Sequence, residues 1–226
     1  MENWIQKIIP KWILKNLKLL LALTVTITVT VTIVINVHPP PNPPQNPPPT
    51  KDWVTQDVTA TDSFGRKINL LIAILSQEKR WMLGSVNMLE NNEPFDVFFP
   101  QYLKKLPAIY DCSEFIAVGV ASQEGSSKYE FSRADKRADK ILEILRPICG
   151  GRNLYKLNLG KYSTVKSESE TSGQRRVIII GIKNRDPAMT IEDIKYALYG
   201  GLQKQVGAKL GLQIVEYSNF YFTNPS

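Results

Sequence analysis

The sequence predicts an α/β domain, an α+β sandwich with helices packed on a sheet, preceded by a single transmembrane helix and a proline-rich linker. Three observations predict it. An uncharged apolar run of membrane-spanning length lies near the N-terminus. A dense run of prolines follows it directly. Beyond the prolines, short apolar runs of strand length alternate with segments of helical period, the order expected of helices on a sheet.

The apolar run extends from Leu19 to Val37. Its Thr24–Val37 stretch, "TVTITVTVTIVINV", alternates as a strand would, yet a lone strand in lipid leaves its backbone polar groups unpaired, whereas a helix satisfies them internally. As a helix the run spans about 29 Å, close to the roughly 30 Å hydrocarbon core of a bilayer. Threonine hydroxyls bond the carbonyl one turn back and so do not oppose this. The run exceeds a signal-peptide core, and no small-x-small cleavage site precedes His38, so it reads as an uncleaved signal-anchor.

Residues 1–18 set the orientation. Lys7, Lys11, Lys15 and Lys18 share one helical stripe, with Trp4, Ile5, Ile8, Ile9, Trp12 and Ile13 on the rest. This is either a basic amphipathic helix at the headgroup layer or a charged flank that only fixes topology. Either way the N-terminus is cytoplasmic and the rest is extracytoplasmic (periplasmic), anchored in the inner (plasma) membrane. In the linker, 38–50, eight of the eleven residues from Pro39 to Pro49 are proline. Polyproline II at about 3.1 Å per residue makes this a strut of roughly 34 Å.

Residues 51–226 are enough for one domain with its own core. The chain's net charge is +7, of which four lysines and one glutamate in 1–18 contribute +3, leaving +4 spread over the rest. That is no nucleic-acid signature. The sole histidine, His38, sits at the membrane exit, which excludes a Ser-His-Asp triad, a Cys-His pair and a His-rich metal site from the domain. "GGLQKQVGAKLG" has glycines without the spacing of a phosphate loop. The sequence leaves open a carboxylate pair of glycosidase type, but the expectation is a non-enzyme without cofactor or metal.

Cys112 and Cys149 are the only cysteines. They flank a strand–helix unit whose two ends share an edge, so a disulfide worth on the order of 3 kcal/mol is one reading, and two unrelated buried thiols are the other.

Within the domain, "FDVFF" and "QYLKKL" suggest a strand and a helix, while the eight apolar residues from Ile68 fit a strand or a helix equally. Residues 51–94 otherwise have no assigned role. Residues 115–121 form a buried strand, and Ser127 with Glu130 fits a capping box that starts a helix. Ala134, Ala138, Ile141, Leu142 and Leu145 mark its buried face, and Arg133 and Arg137 lie near that face's edge. Pro147 and two glycines end it. "LYKLNLG" and "QRRVIIIGI" are strands around the polar loop "KYSTVKSESETSG". "TIEDIKYALYGGLQKQ" is a helix capped by Thr190, and "LQIVEYSNFYF" is a closing strand.

The apolar strand, Gly125, Arg137-Ala138 within the helix, and the Arg175-Arg176-Val177 run resemble the OmpA-like C-terminal domain, a peptidoglycan-binding module also found in MotB-type stator proteins. The resemblance covers about residues 95–183. It implies that Arg137 grips a carboxylate of the peptide stem, for which a planar guanidinium fork is suited. The family's aspartate falls at Ser122, with Glu124 the nearest acid, and its Leu-Ser pair is replaced by Arg133-Ala134. The implied ligand-binding set is Arg137, Arg133, Glu124, Ser122, Gly125, Arg175 and Arg176; the plainer reading of the arginines is a solvated or ion-paired surface. No ionisable residue lies between Leu19 and Val37, so ion conduction of the stator kind is not expected. Two functions follow: an envelope tether to peptidoglycan, or the same domain as a protein–protein interaction module in a membrane complex.

Overall fold

A computed structural model describes residues 52–163, 171, 173–203 and 214–225. The expected cytoplasmic flank, transmembrane helix and proline-rich linker, and most of the 161–173 loop, lie outside the described residues. Among the described residues no helix is long and apolar enough to cross a membrane.

Six strands form one sheet: β1 (Trp53–Thr61), β2 (Lys67–Leu75), β3 (Glu114–Ala121), β4 (Leu154–Lys161), β5 (Ile178–Arg185) and β6 (Tyr221–Thr223). Their order is β1-β2-β5-β3-β4-β6. Among the described residues only β3 and β4 pair in parallel, and the connection between them is α2 (Ser127–Cys149). Helix α1 (Phe95–Lys104) precedes β3, and α3 (Ile191–Gly201) follows β5.

The sheet has apolar cores on both faces. On one, Ile72, Ile116, Val118, Leu157 and Ile180 meet Ile194 and Leu198 of α3. On the other, Ala73, Phe115, Ala117 and Ile179 meet Phe99 of α1 and Ile141, Leu142 and Leu145 of α2. Double coverage explains the unbroken runs of β2, β3 and β5, since a strand buried on both faces has no solvent side to alternate toward. The ambiguous stretch from Ile68 is therefore a strand. Backbones approach closely at Gly119, where an added Cβ would stand 1.8 Å from the Ala134 carbonyl oxygen.

Several expectations change. "FDVFF" and "QYLKKL" are not strand and helix but the single helix α1, whose buried Phe95, Phe99, Tyr102 and Leu103 recur at helical spacing. The cap of α2 is Ser126 rather than Ser127, and its side chain makes no capping bond. Glu130 is 1% exposed and turns inward, which leaves it unavailable for a capping box. Helix α2 continues through Pro147 to Cys149 and ends at Gly150, with φ +56°. The closing strand shrinks to three residues, preceded by a 3-10 turn at Ile214–Glu216. Thr190 caps α3 as expected, in a full capping box with Asp193. The two cysteines are free and buried. Cys112 Sγ sits over Gly181, directed at the Ala108 carbonyl, and burial pushes both thiols up to about 11.

Candidate functional site

The residues singled out from the sequence converge where β3 ends and α2 begins. Helical spacing from Ala134 through Ala138 to Ile141 turns Glu130 and Arg137 onto the same inward face. Arg137 is fully buried. Its three nitrogens donate to backbone carbonyls: Nε to Ser85 at 3.0 Å, Nη1 to Val120 at 2.9 Å and Nη2 to Met82 at 3.2 Å. The guanidinium carbon also lies 5.5 Å from the Trp81 ring centre. Burial, with the neighbouring charge of Arg133, holds its pKa below the ordinary arginine value, yet a guanidinium remains protonated at neutral pH. Among the described residues no carboxylate bonds it.

Arg175 works on the same loop from the other side. It is 6% exposed; Nε donates to the Trp81 carbonyl at 3.1 Å and Nη2 pairs with Glu90. Glu124 stands 3.7 Å from Arg175 Nη1. Burial would raise the Glu124 carboxyl, but hydrogen bonds from Ser122 and Thr171 and the Arg175 charge outweigh it and hold it below the usual range. Glu90, gripped by both Arg80 and Arg175, is lowered against burial in the same way.

A second group forms around Gly125. Glu130 bonds Arg133 Nη1, and its carboxylate packs where a Gly125 side chain would stand, 2.1 Å from the ideal Cβ position. Glu130 Oε2 is buried without a hydrogen-bond partner among the described residues. Lys161 Nζ donates to the Gly125 carbonyl at 2.6 Å. Arg176 Nε donates to the Gly173 carbonyl at 3.0 Å, and burial lowers its pKa.

The structure thus brings Ser122, Glu124 and Arg175 together, and sets Gly125 against Glu130, the ion-pair partner of Arg133, while Arg137 faces the 82–85 backbone. Arg137 and Arg175 clamp the segment between β2 and α1, whereas Arg133 is ion-paired with Glu130 and Arg176 holds the Gly173 carbonyl. Three participants were not foreseen as site residues. Glu130 was legible, because it falls one turn before Ala134 on the buried stripe. Trp81 and Glu90 carried no sequence signal, being remote in the chain and outside any periodic pattern.

No protein-family model matches the chain, and no curated protein does. Among solved structures it is similar to the OmpA-like domain of FopA1 from Francisella tularensis subsp. tularensis SCHU S4, at 15% identity and a TM-score of 0.31, covering 67% of this chain and 96% of that one. Similarity at this level places no residue of this site in register with one of that domain.

Proposed function

We propose that this chain is a single-pass membrane-anchored protein of the cell envelope whose extracytoplasmic domain is a protein–protein interaction module of a membrane complex. The observation that carries it is the state of Arg137. A guanidinium that is to grip a ligand carboxylate must present its fork to solvent, and this one is fully buried with every nitrogen donated to a carbonyl. Peptidoglycan tethering through Arg137 would require the 82–85 loop to leave. The anchor part of the reading rests on the uncharged Leu19–Val37 run and the prolines after it.

Co-sedimentation of the full-length, detergent-solubilised chain with isolated peptidoglycan tests the proposal. The chain should remain in the supernatant. Saturable pelleting would favour the wall tether instead. Extraction of native membranes with alkaline carbonate tests the anchor, and release of the chain into the soluble fraction would overturn it.

A further inference from the structure

Between Arg80 and Pro94 the chain turns back on itself as a tight loop. Trp81 and Leu89 bridge at its foot, both fully buried. Met82 N donates to Met88 O at 2.9 Å, and Glu90 N to Arg80 O at 2.9 Å. At the tip Gly84 has φ +73°, which favours glycine, and Ser85 Oγ accepts from the amides of Asn87 at 3.1 Å and Met88 at 3.0 Å. From beneath, Arg137 holds the carbonyls of Met82 and Ser85. On this fixed backbone stand Met82, Leu83, Val86 and Met88. Leu83 is 55% exposed and the other three are partly exposed.

An apolar tip on a preordered backbone is an unusual use of a surface loop, because apolar side chains gain nothing from water and ordering a loop on binding costs affinity. Here the ordering is already built in. Methionine adds adaptability to such a contact.

We propose that residues 82–88 are the docking loop of the interaction module, inserting Leu83, flanked by Met82, Val86 and Met88, into an uncharged apolar groove on a protein partner. The inference rests on the interaction reading above and names its surface. Charge argues for protein over bilayer. The cations at the foot are paired, Lys79 with Glu93 at 2.9 Å and both Arg80 and Arg175 with Glu90, so they are not offered to anionic headgroups. The tip itself carries no charge, so its complement is a surface without charge.

The test uses the full-length chain in its native membrane, with the photo-reactive residue benzoylphenylalanine placed at Leu83, Val86, Val97 or Tyr196. The last two are exposed on other surfaces, at 56% and 60%. Positions 83 and 86 should each give the same discrete protein adduct, about tenfold stronger than at 97 or 196. Its cross-linked partner peptide should be apolar and uncharged. Met88→Ser, a partly exposed change that leaves the fold intact, should weaken the adduct from position 83 by about tenfold. Adducts from 196 but not from 83 or 86 would overturn this surface while leaving the interaction module standing. Adducts only to lipid, or only to a second copy of the chain, would overturn the proposed partner. Adducts from none of the four positions would overturn both readings.

Discussion

Replacing Arg137 by methionine separates a structural arginine from a ligand-binding one. Methionine keeps much of the aliphatic stem and deletes the fork, so the carbonyls of Val120, Met82 and Ser85 lose their donors at once. A buried acceptor left unsatisfied costs about 1–3 kcal/mol. Val120 is fully buried and bears this in full, whereas Met82 and Ser85 are only partly covered and can recapture water. Relief from burying a charge works in the opposite direction. The net loss should be about 1–3 kcal/mol, read as a lower urea midpoint with unchanged slope, or as a fall in Tm of roughly 2–12 °C for a domain of this size. Arg146→Met is the control, since it lies on the same helix with its side chain exposed, where a substitution should stay within about 0.5 kcal/mol. If Arg137→Met stays within about 0.5 kcal/mol of wild type, as an exposed ligand-binding arginine would, the clamp described above is wrong.

Gly119→Ala should abolish stable folding or cost more than about 3 kcal/mol, because the new methyl meets backbone, the Ala134 carbonyl, which cannot rotate away; near-wild-type thermal unfolding would contradict the close approach of α2 to β3. Both cysteines should resist alkylation at pH 8 in the native state and react only in denaturant, since burial raises both thiols to about 11; a mobility shift on reduction would reveal a disulfide instead. Glu114 is buried, which alone would raise its carboxyl, but Tyr155, Arg185 and Asn153 bond it and hold it lower. Its folded pKa lies below the unfolded one, so its contribution is present above the unfolded value near ~4.3 and is lost as pH falls through the folded value. Denaturation curves between pH 5 and 2 should therefore show a shallower acid decline for Glu114→Gln than for wild type; parallel declines would remove Glu114 from the account.

What the sequence determined by itself was everything carried by local periodicity and local chemistry. The strand before Ser122, the long helix with its stripe from Ala134 to Leu145, and the Thr190 cap all depend on residues within a turn or a strand of one another. The stripe even contained the fate of Arg137, for counting back from Ile141 by helical turns puts it and Glu130 inward. The sequence left open the Ile68 strand, because a segment buried on both faces loses the alternation that would mark it. It misplaced "FDVFF", because five residues are too few to separate a period of two from one of 3.6. Only the tertiary structure decided what the arginines do. A guanidinium is equally at home on a wet surface, in a ligand's grip or on buried carbonyls, and the choice among them rests with Trp81, Met82, Ser85 and Glu90, which lie about fifty residues or more from the arginines they bind. Hydrogen bonds at that separation leave no periodic trace along the chain, so the loop and its clamp become visible only once the sheet has brought them together.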